Sequence, residues 1–498
     1  MDGSIASPAL PAWVPRRALD VTAYHAMAAA GILRPEDRVE LIEGELIEMA
    51  PIGSPHAGTV NALTQLLVLA CVAGGWLGGT GFDPRPAHGT LAFGLLVLAL
   101  PLERAAVLLT ERNEEFGQSI SAESAKPITT ARIEASRAVD TLRFSAVQAR
   151  TLVGEMVAMD ATPAGVGKLG YVKRVPIGVI GAISPFNFPL NLVCHKIAPA
   201  LAAGCPVVLK PASATPLTAL KIARLFEEAG LPPGWLNVVT CPGSVADRLV
   251  THDDVAMITF TGSPEVGWGI RARGARKRVS LELGNNAPVV VEADADLELA
   301  ATKIVAGGFA FSGQTCISVQ RVYVHSSVHD ELLDLVTGKV EQLVVGDPAD
   351  DATVVSALIA SKETKRVKDW IDEAVAAGAR LVVGGDLTPD EVLKPTVLDN
   401  VTADMKVCSD EVFGPMIGVA SYDDYEDALA RANDTRYGLQ AAVFTKDLAK
   451  ALRAADVLDF GGVLINEMPS WRADQQPYGG VRDSGNTREG PAFTVQEM

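Results

Sequence analysis

Several features that would classify this 498-residue chain quickly are scarce or missing. There is no CxxC pair: the six cysteines (Cys71, Cys194, Cys205, Cys241, Cys316, Cys408) are scattered, and none has a histidine at metal-ligand spacing. Neither a disulfide framework nor a metal site is therefore expected, and the pattern reads as a reduced, intracellular chain. Basic charge is also short. Against 60 acidic residues stand 43 Lys and Arg, a formal net charge of −17. No basic excess is available to release counterions from a phosphate backbone, so nucleic acid is not expected as a partner. No apolar run reaches the ~20 residues needed to cross a bilayer. Residues 62–75 and 91–101 come closest, and each is interrupted by Gln or Gly. The N-terminus carries charges with no apolar core behind them, unlike a secretory signal. A cytoplasmic location without membrane association is the expectation.

What is present is globular composition, 48% hydrophobic and 21% charged, at a length that calls for two or three domains. From about Val172, strand-like VPIGVIGAIS, PVVLKPAS, WLNVVT and AMITFTGS alternate with helical segments such as TPLTALKIARLFEEAG. That alternation predicts a doubly wound α/β domain with its ligand at the carboxyl ends of the strands. A second α/β region, about 284–466, carries APVVVEA, QRVYVH and RLVVGG. Between them GEMVAMDATPAGVGKLGYVKRVP predicts a β-hairpin of the kind that pairs with another subunit's edge. The first hundred residues differ: RVELIEGELIEMAPIGSPHAGTVNALTQLL predicts a strand pair and a helix, and LERAAVLLTERNEEF a further helix.

Cys316 lies in FSGQTCISVQRVYV, a small-residue turn leading into a strand, which places its sulfur at an open, partly polar position. A thiolate there is a strong nucleophile, although a lone cysteine is more often a small core residue. Its company decides. Glu282 in SLELGNNAP and Glu411 in SDEVFGP are flanked by apolar residues beside Gly or Pro; singly each reads as a solvated charge, together as partly buried groups with a task. Asn187 in SPFNFPLN has its amide held between aromatics and prolines, a rigid donor for a developing oxyanion or else a helix cap. Lys210 ends a strand, where an apolar stem carries its ammonium to a ligand hydroxyl or phosphate. FTGSPEVG, with Gly262 and Gly267, leaves a strand and opens a helix, which suits a phosphate but is a weak pattern alone. Arg472, in SWRADQQPYGG, is either a partner for an anionic substrate group or a solvated loop arginine.

In order and spacing, PFNFP, KPAS, FTGS with Gly267, LELG, GQTC, EVFGP and PYGGVRDSG resemble the aldehyde dehydrogenase superfamily over about residues 100–498. The resemblance implies an α/β fold. A Rossmann-type cofactor domain spans 96–153 and 172–282, an oligomerisation hairpin 154–171, a second α/β catalytic domain 283–466, and a shortened C-terminal segment 467–498, after an atypical segment 1–95. It implies oxidation of an aldehyde to a carboxylate with NAD or NADP. Cys316 would add to the carbonyl, with the oxyanion held by the Asn187 amide and the Cys316 N–H. Glu282 would deprotonate the water that hydrolyses the thioester. Cofactor contacts carry over to Ile183, Ser184, Pro185, Phe186, Lys210, Ser213, Gly243, Gly262, Ser263, Gly267, Leu283, Glu411 and Phe413. Ser213 stands where strict NAD users place a glutamate, so NADP should be accepted as well.

The C-terminal motif is similar to the branch handling short, oxygenated or anionic aldehydes. Glu282 separates the chain from CoA-acylating relatives, which suppress hydrolysis; a catalytically dead binding protein is the reading from another class. Residues 21–67 resemble the start of a restriction-endonuclease-like family, the Uma type. No metal-binding acidic cluster follows, so Glu40, Glu43 and Glu45 are expected on the polar face of a strand pair. Asn285 stands where a second glycine is commoner. PAFTVQEM closes the chain where family members continue into a final strand, which leaves formation of a homo-oligomer open.

Overall fold

The computed structural model describes residues 39–42, 45–48, 90–274 and 276–498. The chain divides into two compact units, Met1–Gln65 and Leu66–Met498. In the first, β1 (Val39–Ile42) and β2 (Glu45–Glu48) pair antiparallel, Val39 opposite Glu48. This is the expected strand pair; the helix expected after it lies outside the described residues.

The second unit is built on two sheets. Hairpin strands β3 (Glu155–Val157) and β4 (Gly170–Val172) precede the first of them. That sheet contains β5 (Val179–Ile183), β6 (Val207–Lys210), β7 (Leu236–Val238), β8 (Val255–Thr261) and β9 (Arg278–Glu282), all parallel, in the order β7-β6-β5-β8-β9. Every residue of β5 and β6 is buried, the mark of strands covered on both faces and the reason they read as unbroken apolar runs. One face packs on helices Thr90–Glu111, Ile128–Thr151 and Asn191–Ala202, and the other on helices Gly243–Thr251 and Pro264–Arg273. The helix at Thr90–Glu111 begins well before LERAAVLL, because the apolar run 91–100 continues into it and Pro101 is accommodated inside.

The second sheet has seven strands: β10 (Ala287–Val291), β11 (Val319–His325), β12 (Arg380–Val383), β13 (Thr396–Asp399), β14 (Met416–Tyr422), β15 (Gln440–Phe444) and β16 (Gly462–Ile465). Their order is β12-β13-β14-β11-β10-β15-β16, with only the edge strand β12 antiparallel. Apolar clusters cover both faces.

Strand order positions the site. In the first sheet the chain runs from β5 outward through β6 to β7, then returns to the other side for β8 and β9. The switch point lies between β5 and β8, so a ligand crevice opens beyond Ile183 and Thr261. β9 ends at Glu282 and β10 starts at Ala287, which brings the amino ends of the second sheet to that crevice. The hairpin stands apart from both cores: Met156, Leu169 and Tyr171 are 72%, 77% and 58% exposed. No described helix is long and apolar enough to cross a membrane.

Candidate active site

Cys316 is presented by an unusual turn. After helix Leu297–Phe309, three successive residues, Phe311, Ser312 and Gly313, adopt left-handed φ values of 50°, 55° and 70°. For Phe and Ser this conformation costs on the order of 1–2 kcal/mol each. Gly313 has no substitute, since a Cβ there would lie 2.1 Å from the Gly414 carbonyl oxygen. The turn is pinned where Ser312 Oγ donates to Ser356 O (2.8 Å) and accepts from Ser356 N (2.9 Å), and where Gln314 Oε1 accepts from Ile359 N (2.9 Å). Cys316 follows, packed against Ile317, Leu439 and Tyr478, just ahead of β11. It is thus partly buried rather than open, because the aromatic ring of the C-terminal loop closes over it.

The sulfur lies 3.2 Å from Tyr478 Oη. Burial pushes the thiol up to about 12; the Tyr478 hydrogen bond pulls it down, while the Glu411 and Glu282 carboxylates push it further up. At neutral pH the free protein therefore holds a thiol. Tyr478, itself held well above the usual phenol range by burial and the Cys316 sulfur beside it, keeps its proton and can donate to the sulfur.

Asn187 sits on the loop between β5 and helix Asn191–Ala202. Its Nδ2 donates to the carbonyl of Gln314 at 2.9 Å, two residues from the nucleophile. Glu282 ends β9, 4% exposed, and neither carboxylate oxygen has a partner among the described residues. The backbone of Gly479 packs so close that a Cβ there would lie 2.8 Å from Glu282 Oε1. Burial, and then the negative Glu489, hold the Glu282 carboxyl well above the usual carboxylate range. Burial pushes Glu489 up too, but Lys196 (3.4 Å) and Arg472 (3.2 Å) outweigh it and hold that carboxyl down to about 2. The pair is thus arranged with one carboxyl charged and the other poised to take a proton.

Arg472 is not a solvated loop residue. Its side chain is 6% exposed, its guanidinium lies 3.8 Å over the Tyr478 ring, and its Nε has no partner among the described residues. One phenol ring therefore separates it from the nucleophile. Behind it stands buried His195, whose Nε2 meets Asp474 Oδ1 at 3.0 Å; Asp474 also accepts from Arg137 (2.8 and 3.0 Å) and Asn191 (3.0 Å).

A cleft of about 520 Å³ at the carboxyl ends of β5 and β6 is lined by Ile183, Lys210, Gly243, Phe260 and Val266. Lys210 Nζ approaches Ser213 Oγ (3.4 Å), and burial lowers its pKa. Ser213 and Gly243 lie exposed at the rim. Ser184 is buried with its Oγ unpartnered. Past Pro185, the Phe186 ring meets Phe413 edge-on at 5.8 Å, and Phe413 holds a left-handed φ of 48°. Ser263 caps helix Pro264–Arg273. Side chains at Gly262 and Gly267 would strike Phe260 (2.5 Å) and Leu283 (2.4 Å). Burial raises Glu411 to about 7, and its Oε1 accepts from Asn285 N (2.9 Å). The Asn285 side chain is accommodated by donating to Gln440 O at 3.1 Å.

The structure therefore brings Cys316, Asn187, Glu282 and Arg472 together, with Ile183, Lys210 and Gly243 lining the cleft at the strand ends and Glu411 and Phe413 beside Thr315 on the Cys316 turn. Sequence reasoning passed over Tyr478, Lys196, Glu489, His195 and Asp474. The signal for two of them was there, a His-Lys pair inside the otherwise apolar NLVCHKIAPALA, every residue of which is buried.

The aldehyde dehydrogenase family matches residues 99–498. A 3-sulfolactaldehyde dehydrogenase of Priestia aryabhattai is 47% identical over 398 residues, 80% of this chain and 83% of that protein. A lactaldehyde dehydrogenase of Methanococcus aeolicus is 38% identical over 402 residues, 80% and 85% respectively. Among solved structures, the NADP-dependent glyceraldehyde-3-phosphate dehydrogenase of Bacillus halodurans, complexed with NADP, aligns with a TM-score of 0.81 at 37% identity, covering 91% of each chain.

Proposed function

This chain belongs to the aldehyde dehydrogenase family, and from that premise we propose how its residues divide the oxidation of an aldehyde to a carboxylate. The observation that carries the assignment is the Asn187 amide resting on the Cys316 turn, with the buried, partnerless Glu282 close enough for its charge to act on the thiol.

NAD or NADP fits the crevice beside them. Lys210 and Glu411 offer a cation and a carboxylate to ribose hydroxyls. Ser184, whose Oγ has no partner among the described residues, and the Ser263-capped helix would hold the pyrophosphate, with Gly262 and Gly267 keeping that approach clear. Ile183, Pro185, Phe186, Gly243 and Leu283 line the walls, and Phe413 packs near the nicotinamide end. Bound there, the cofactor would supply the acceptor for the hydride that leaves the aldehyde carbon. The Cys316 thiol gives its proton to solvent, and the sulfur, with Tyr478 donating to the thiolate so formed, adds to the carbonyl carbon. The Asn187 Nδ2 and the Cys316 N–H receive the charge that develops on oxygen. Glu282 then takes a proton from water, whose oxygen attacks the thioester carbon and expels the Cys316 thiolate. The presence of Glu282 favours this hydrolytic outcome over transfer to CoA, and an intact set of reacting groups argues against an inactive binding protein.

For substrate we assign a short, oxygenated, anionic aldehyde, of the kind the sulfolactaldehyde and glyceraldehyde-phosphate relatives are named for. Support comes from Arg472, whose unpartnered Nε is buried one ring away from the nucleophile. Arg472→Ala should raise KM for 3-sulfolactaldehyde about tenfold or more, the scale of a charged hydrogen bond, and leave KM for neutral propionaldehyde within about twofold. Equal effects on both would remove the pairing.

Ser213 presents a neutral hydroxyl at the rim, which tolerates a 2′-phosphate. The expected result is kcat/KM within about tenfold for NAD and NADP, a gap of ~1.4 kcal/mol; turnover with NAD alone at saturating NADP contradicts it. The domain boundaries read from the sequence carry over as cofactor, hairpin and catalytic parts, in a cytoplasmic enzyme. The exposed hairpin is assigned to self-association with a second copy, because its apolar residues have no cover among the described residues. Sedimentation should give an oligomer that Met156→Asp with Leu169→Asp dissociates; identical sedimentation of the two proteins would exclude that role. Residues 21–67 keep only their likeness to the nuclease-like family, and no activity is assigned to them.

A further inference from the structure

Lys126 and Glu134 form an ion pair whose side chains have no exposed surface at all. Neither belongs to the reacting groups above. Lys126 Nζ also donates to the backbone carbonyl of Asn187 at 2.6 Å, and lies 3.8 Å over the Phe188 ring and 4.4 Å over the Phe311 ring. Glu134 Oε1 accepts from the backbone N–H groups of Leu190 (2.9 Å) and Asn191 (3.1 Å). The pair therefore grips the Asn187 loop at both ends and rests on the first residue of the left-handed turn that carries Cys316. A buried ion pair seldom stabilises a fold more than apolar residues of the same volume would. What it supplies is direction, through hydrogen bonds of fixed geometry and a cation seated between two rings.

We propose that Lys126 and Glu134 are positioning residues, which set the placement of the Asn187 amide relative to Cys316 and so the fit of the oxyanion. This rests on the aldehyde-oxidising reading of the site and adds to it two groups that touch neither substrate nor cofactor. A donor amide displaced by about 1 Å can lower a rate on the order of 100-fold.

Removing one charge alone leaves the other buried and unpaired, so the test uses Lys126→Met with Glu134→Gln. The glutamine keeps a carbonyl for the Leu190 and Asn191 amides. Steady-state kinetics are measured in two backgrounds, wild type and Asn187→Ala. In the wild-type background kcat should fall about 10- to 100-fold with KM within about threefold. In the Asn187→Ala background the same pair of changes should cost less than about threefold, because the group it positions is gone. An equal loss in both backgrounds, or none in the first, overturns the proposal. Should the double variant not fold, Lys126→Arg, which keeps the charge and moves the donor, is read in the same two backgrounds by the same criteria. The aldehyde-oxidising reading fails by a different result, turnover by Cys316→Ala.

Discussion

Alanine at Cys316 should abolish aldehyde oxidation, lowering kcat on the order of 10⁵-fold or more, the loss seen when a covalent nucleophile is deleted. The fold should survive. Cys316 is partly buried, its sulfur makes one polar contact, to Tyr478, and the strained turn before it is held by Ser312, Ser356 and Gln314. The cofactor cleft is built from other residues, so a cofactor at a hundredfold excess over Kd should still stabilise the variant by about 2.7 kcal/mol. Loss of activity together with loss of that stabilisation would mean the substitution had damaged the scaffold. Retained activity would mean that another group attacks the aldehyde.

Glu282→Gln should separate the two halves of the reaction. The amide has the shape of the carboxyl but cannot accept a proton, so oxidation proceeds once and hydrolysis stalls. The expected record is a burst of reduced cofactor near one equivalent per site, followed by a steady rate about 10²- to 10⁴-fold below wild type, the range over which a general base contributes. The pH dependence of the unaltered enzyme follows from the same group. Burial and Glu489 raise the Glu282 pKa, so its basic form is lost as pH falls through that raised value. The Cys316 thiol, pushed up to about 12, also ionises more as pH rises. Both effects have the same sign: kcat, through Glu282, and kcat/KM, through Cys316, should each rise as the pH is raised. A flat profile, or a burst absent from Glu282→Gln with hydride transfer slowed equally, would remove Glu282 from the water-activating step.

How much of this was legible in the sequence depended on the range over which residues act. Strands β5, β6, β10 and β11 could be read because sheets covered on both faces impose continuous apolar runs. The start of helix Thr90–Glu111 could not, since a run with Pro inside reads as a short apolar stretch. Cys316, Asn187 and Glu282 stood in local motifs. Their supports did not: Lys126 meets Asn187 across 61 residues and Lys196 meets Glu489 across 293, separations at which no periodicity signals a pairing. Lys126 looks alone like an ordinary surface charge. Backbone strain was equally hidden, because in Phe311-Ser312-Gly313 only the glycine announces a left-handed conformation. Arg472 could be read as either a solvated or a working residue until the fold laid it on Tyr478, whose own role followed only from its contact with the sulfur.

The central claim is that the aldehyde becomes a thioester on Cys316 that Glu282 clears. It is tested most directly by acid-quenching Glu282→Gln during its burst with 3-sulfolactaldehyde and NAD or NADP, then weighing the peptides by mass spectrometry. The account predicts the acyl mass increment on the Cys316 peptide, near one per site and removed by hydroxylamine. Reduced cofactor formed with Cys316 unmodified, or the acyl group found on another residue, would contradict it.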